Sequence, residues 1–136
     1  MSPAVRLYAA VGLGSGLGAV ARYLVSLGLV AMFGQGFPWA TLAVNVVGSF
    51  VIGFYATLTE PDGRLLVRPA LRQFVLAGFC GGFTTFSIFS LETLRLAEAG
   101  NPALAATYVA VSVVLWLSAV WMGWKLGERL NRLKGA

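Results

Sequence analysis

The side chains able to do chemistry in this sequence stand inside apolar stretches. Asn45 lies one helical turn beyond Thr41 and one before Ser49, so that these three and Gly48 form a polar helix face. A carboxamide at that position donates two hydrogen bonds, either to an anion or to a neighbouring helix. Tyr108 and Ser112 repeat the spacing and offer two hydroxyls, again for an anion or for a helix–helix contact. The densest cluster is Gly78-Phe79-Cys80-Gly81-Gly82-Phe83-Thr84-Thr85-Phe86-Ser87-Ile88-Phe89-Ser90. Within it Phe86 and Phe89 share a helix face beside Ser87 and Ser90, and aromatic ring edges carry partial positive charge. Ring edges and hydroxyls together form a path for an anion with no full charge to trap it, although a Phe stripe also serves packing. Arg22, the one cation in residues 7–59, is either part of an anion-attracting vestibule or a snorkelling side chain that sets helix depth.

Other chemistries are excluded by composition. The sequence has no His, which removes His-ligated metals, Ser-His-Asp triads and His proton relays. Its single Cys80 sits in an apolar run and reads as a small hydrophobe. Catalysis is not expected, and no nucleic-acid partner is expected.

The elements that must position these groups follow from hydropathy. The chain has 136 residues, 58% hydrophobic and 11% charged, against about 25% charged in ordinary soluble domains. Residues 7–21, 23–59, 73–91 and 99–124 carry no Asp, Glu, Lys or Arg. A hydrocarbon core about 30 Å thick is crossed by roughly 20 helical residues. The reading is an all-α integral membrane protein, one domain over 1–136, with spans at about 5–32, 39–59, 73–94 and 103–124. Arg6 followed by so long an apolar run does not resemble a cleavable signal. Gly34-Gln35-Gly36-Phe37-Pro38, Glu60-Pro61-Asp62-Gly63-Arg64 and Gly100-Asn101-Pro102 are turns. Arg64, Arg68 and Arg72, four apart, predict one face of a short surface helix. Gly12, Gly14, Gly16 and Gly18, with Gly48 and Gly53, have the composition of close helix contacts in lipid. A Gly-Gly pair followed by Thr-Thr predicts a third helix broken near its middle, and carbonyls freed there suit a small cation such as sodium.

Several of these segments resemble the Fluc (CrcB-type) fluoride channels of bacteria. Gly12 through Arg22-Tyr23 is similar to that family's glycine-rich first span. Thr41-Leu42-Ala43-Val44-Asn45-Val46-Val47-Gly48-Ser49-Phe50 resembles its second-span motif, and Gly81-Gly82-Phe83-Thr84-Thr85-Phe86-Ser87-Ile88-Phe89 its third-span signature. Tyr108 and Ser112 match polar positions of the fourth. The resemblance implies an antiparallel dimer of four-helix subunits in the bacterial inner membrane, with two fluoride pathways and passive export that lowers cytoplasmic fluoride. It further implies that Asn45 lines each pore, that Phe86 and Phe89 present ring edges to fluoride, and that Ser87, Tyr108 and Ser112 extend a polar track. Arg22 would belong to the vestibule. A structural sodium ion (Na+) at the dimer centre would be held by the backbone carbonyls of Gly81 and Thr84. Ile88 departs from the signature's usual Thr, and Trp116 stands where a small hydroxyl residue is common; either would trim the track and slow conduction. The rival readings are a proton-coupled four-helix multidrug exporter, for which Glu92 is the candidate carboxylate, and a non-conducting assembly subunit.

The charges add a constraint on orientation. Arg6, Arg64, Arg68, Arg72, Lys125, Arg129, Arg132 and Lys134 fall on the side of the termini and Arg95 on the other. The positive-inside rule then predicts a single orientation with both ends cytoplasmic. An antiparallel homodimer requires both orientations, which keeps a heterodimer with an oppositely inserted homologue in view.

Overall fold

Helices account for nearly all of residues 2–132, the part of the chain described by the computed structural model. In order they are α1 (Pro3–Phe33), α2 (Trp39–Leu58), α3 (Pro69–Gln73), a π-helical stretch (Phe74–Cys80), α4 (Gly81–Phe83), α5 (Ser87–Glu98) and α6 (Pro102–Arg132). Four segments are long and apolar enough to cross a membrane: Pro3–Phe33, Trp39–Leu58, Pro69–Glu98 and Pro102–Arg132. The protein is thus an all-helical, multi-pass membrane protein. Lys134, one of the expected basic-tail residues, lies outside the described residues.

Local chemistry sets the ends. Ser2 caps α1, its hydroxyl accepting from the Val5 N–H at 3.3 Å, and Pro3 fills a position where a missing N–H loses nothing. Gly34 (φ 72°) and Gly100 (φ 80°) turn the chain after α1 and α5 in the left-handed region that favours glycine. The helical segments reach beyond the apolar runs. The third starts at Pro69 because proline nucleates a first turn well, and α6 continues past residue 124 to Arg132 because hydrogen bonding does not stop where hydropathy does.

The expected surface helix carrying three arginines does not form. Arg68 is extended (φ −63°, ψ 142°), the conformation that a following proline imposes, so only Arg72 is helical. Arg64 and Arg72 brace a loop instead. Arg64 donates its N–H to Asn131 Oδ1 at 2.8 Å and Nη1 to the Leu130 carbonyl at 3.2 Å, while Asn131 Nδ2 donates to the Thr57 carbonyl at 2.9 Å. Arg72 Nε donates to Thr59 Oγ1 at 3.1 Å. These bonds tie the end of α2 and the loop after it to the end of α6.

Two glycine seams hold the bundle. α1 packs chiefly on the π-helical stretch and α4, and α2 chiefly on α6. Gly14 and Gly18 lie against the Phe74 and Phe79 carbonyls, and Gly82 against the Ser15 carbonyl. A side chain on Gly78 would sit 2.9 Å from the Val11 carbonyl oxygen and 3.0 Å from Gly14 Cα. On the second seam Gly53 faces the Val120 carbonyl and Gly123 the Phe50 carbonyl; Gly48, also on α2, instead admits the Thr84 methyl of the third span. Gly12 and Gly16 do not take part: nothing lies within 4 Å of where their side chains would be. Half a turn separates them from Gly14 and Gly18, so a four-glycine run gives only two contact residues.

Candidate functional site

Helical residues on the third span stop at Phe83, just after its glycines. Thr84 is extended (φ −84°, ψ 161°), and regular helix resumes at Ser87. Backbone groups around the turn find side-chain partners. Asn45 Oδ1 accepts from the Thr85 N–H at 2.7 Å and Asn45 Nδ2 donates to the Thr85 carbonyl at 2.9 Å. One carboxamide therefore satisfies both backbone groups of one residue. Its second amide N–H has no protein acceptor among the described residues, so it is available to an ion or water. Thr84 Oγ1 donates to the Cys80 carbonyl at 2.9 Å, and Thr85 Oγ1 accepts from the Ile88 N–H at 3.2 Å. Thr85 thus supplies an oxygen to the start of α5.

Arg22 meets this span from the α1 side, its Nε donating to the Gly82 carbonyl at 3.1 Å. Of the partners open to a guanidinium in the membrane, a carbonyl is the one it takes. Among the described residues no protein donor reaches the carbonyls of Gly81 or Thr84.

An aromatic and hydroxyl layer runs along α5 and α6. Tyr108, Ser112 and Trp116 follow one another at single-turn intervals on α6. Phe89, 5% exposed, sits against two of them, with ring centroids 5.1 Å from Tyr108 and 4.8 Å from Trp116. Phe86 follows at 5.5 Å but is 72% exposed. Tyr108 and Ser112 are fully buried. The Tyr108 hydroxyl donates to Glu92 Oε2 and Thr41 Oγ1 donates to Glu92 Oε1, each at 2.9 Å. Ser87 Oγ lies 3.3 Å from Thr85 Oγ1.

Two cavities flank the layer. One, of about 310 Å³, is lined by Asn45, Gly81, Thr84, Thr85, Phe86 and Trp116. The other, of about 330 Å³, includes Gln35, Phe37, Trp39, Glu92 and Arg95. On the third span Phe86 opens to the first and Glu92 to the second, and Phe89 lies about one turn from each. Of the residues singled out in the sequence, Asn45, Phe86, Gly81 and Thr84 thus border one cavity. Phe89, Tyr108 and Ser112 form the buried layer beside it, Ser87 turns to Thr85, and Arg22 stands apart on α1.

Glu92 is the residue whose part sequence reasoning missed. The sequence offers it only as the candidate carboxylate of an exporter, whereas it holds the Thr41 and Tyr108 hydroxyls. A signal existed: Thr85, Phe89 and Glu92 have the i, i+4, i+7 spacing of one helix face.

With this geometry in place, similarity decides the family. Residues 9–124 match the family described as CrcB-like protein, Camphor Resistance (CrcB). This chain belongs to the CrcB-like family. The CrcB-like chain is 59% identical over 128 residues to a protein of Bradyrhizobium diazoefficiens named fluoride-specific ion channel FluC 1, covering 94% of this chain and 89% of that one. It is 54% identical over 129 residues to a Rhodopseudomonas palustris protein of the same name, covering 95% and 92%. It is also 54% identical over 131 residues to fluoride-specific ion channel FluC of Opitutus terrae, covering 96% and 98%. The family match spans α1 to most of α6 and contains every residue of the two cavities and the layer between them.

Proposed function

We propose that this CrcB-like chain is the subunit of a fluoride-selective channel through which fluoride leaves the cell passively. The observation that carries the reading is the continuity of the Phe86–Phe89 pair between two cavities. Fluoride is small and strongly hydrated, so a selective route replaces its water with donors and keeps larger halides out by narrowness. Asn45 supplies a spare amide N–H, Ser112 a hydroxyl, and Phe86 and Phe89 ring edges. Glu92 holds the Thr41 and Tyr108 hydroxyls turned toward itself, so an ion entering from its cavity competes with the carboxylate for those two donors. Near full-length identity to proteins named for fluoride conduction supports the same conclusion.

The working unit of this reading is a dimer with subunits in opposite orientation, in the bacterial inner membrane. An exposed Phe86 beside an open cavity is a surface that a second copy would cover. The uneven charge distribution keeps the alternative of an oppositely inserted homologue as partner. The broken third span has a function here. Among the described residues no protein donor reaches the carbonyls of Gly81 and Thr84, and hard oxygens suit sodium. Among the described residues no cluster of His, Cys, Asp and Glu offers a competing metal site. Bound sodium would supply a positive charge that holds the broken segments in place.

The test is fluoride release from liposomes that contain only this polypeptide. Passive release of fluoride with retention of chloride is expected, and well-folded protein that releases no fluoride overturns the channel reading. An exporter would instead need a proton gradient.

A further inference from the structure

Two buried donors on α6 have no partner in the protein. Among the described residues, Ser112 Oγ and Trp116 Nε1 are the buried side-chain polar atoms without a hydrogen bond. They stand one turn apart on the same face. An indole N–H is a donor only, and a buried donor left unpaired is unfavourable, more so in a membrane where water does not make up the loss. Both atoms belong to the wall that the Phe89 ring covers, because that ring packs on Trp116 at 4.8 Å and on Tyr108 at 5.1 Å, with Ser112 between them on the helix. Trp116 also borders the cavity that holds Asn45 and Phe86.

Resting on the fluoride-channel reading above, we infer that Trp116 is a direct donor to the translocated anion. Its Nε1–H and the Ser112 hydroxyl form a two-donor station for a dehydrated halide. The large side chain then does not trim the track where a small hydroxyl residue is common; it replaces an O–H donor by an N–H donor. Phe89 excludes water from the same place, so the station suits an ion that has already lost its hydration shell. An indole N–H does not accept a hydrogen bond, so the Trp116 side of the station offers water, which needs acceptors as well as donors, less than it offers an anion.

The decisive measurements are flux and the indole N–H resonances of the intact protein. Removing one hydrogen bond to an ion lowers its occupancy about tenfold, so Trp116→Phe, which keeps an aromatic ring against Phe89, is expected to slow fluoride release about tenfold. The protein has four Trp, and the indole resonance lost in Trp116→Phe is expected to move downfield on titration with sodium fluoride and to stay in place with equal sodium chloride. In Ser112→Ala the midpoint of that titration is expected to rise about tenfold. Wild-type release with Trp116→Phe, or a Trp116 resonance indifferent to fluoride, overturns the inference while leaving the channel intact. Absence of release from wild-type liposomes strikes the channel reading instead, and the resonance still decides whether the station exists.

Discussion

Replacing Asn45 by Ala separates its role as a clamp from its role as a donor. The change removes two hydrogen bonds, from the Thr85 N–H at 2.7 Å and to the Thr85 carbonyl at 2.9 Å. It leaves both backbone groups without a protein partner at the wall of the cavity. Each orphaned group is worth about 1–3 kcal/mol, so Asn45→Ala should destabilise the fold by about 2–6 kcal/mol. At roughly 3 °C per kcal/mol for a chain of this size, the apparent Tm falls by about 6–18 °C. Asn45→Asp keeps the acceptor for the Thr85 N–H, but it sets an oxygen against the Thr85 carbonyl and a negative charge within the membrane-spanning bundle, so it destabilises at least as much as Asn45→Ala. The charge also faces the cavity, and fluoride release should fall further than in the Ala variant. Thermal unfolding in detergent followed by liposome flux measures both quantities on one preparation. If Asn45→Ala melts within about 2 °C of wild type, Thr85 does not depend on the clamp and the reasoning about the turn in the third span fails.

Phe86→Ala and Phe89→Ala should differ in stability and agree in flux. Loss of buried Phe89 costs about 3–5 kcal/mol, whereas Phe86, largely exposed on the subunit, costs little there, and fluoride release slows in both; equal melting temperatures would contradict the burial argument. Gly82→Ala pushes a methyl into the Ser15 carbonyl and should abolish folded protein on size-exclusion chromatography, while Gly16→Ala, with open space around it, elutes as wild type. Glu92→Gln keeps one acceptor for Thr41 or Tyr108 and should leave fluoride release independent of a proton gradient; release that requires such a gradient in the wild type and disappears in the variant would favour an exporter. Refolding or purification with sodium replaced by a large organic cation should lower the apparent Tm of the assembled protein, and restoring sodium should recover it; no change would remove sodium from the Gly81 and Thr84 carbonyls.

Much of the architecture was legible because membrane insertion depends on properties that are local in sequence. Runs without charge mark the spans, and Gly34, Gly100 and Pro102 mark ends through their own backbone preferences. Asn45, Phe86, Phe89, Tyr108 and Ser112 were legible as a group because polar and aromatic side chains at helical spacing stand out in apolar surroundings. The three arginines after Gly63 were misread because a spacing of four has meaning only within a helix, and the backbone before Pro69 is extended. Gly12 and Gly16 were indistinguishable in composition from Gly14 and Gly18; only the neighbour on one side tells them apart.

What the sequence determined by itself is the number of membrane-spanning helices, the exclusion of histidine chemistry and of an intrachain disulfide, and the faces on which polar groups stand. All of these follow from the apolar length of each run and the 3.6-residue period. Tertiary structure decided which partner each polar group takes. Arg22 uses the Gly82 carbonyl, Asn45 holds Thr85, and Glu92 draws in Thr41 and Tyr108, whereas Ser112 Oγ and Trp116 Nε1 find no partner among the described residues. The physical reason is range. A hydrogen bond across a helix interface depends on an approach of about 3 Å between residues far apart in the chain, and that approach is set by which glycines let two backbones meet.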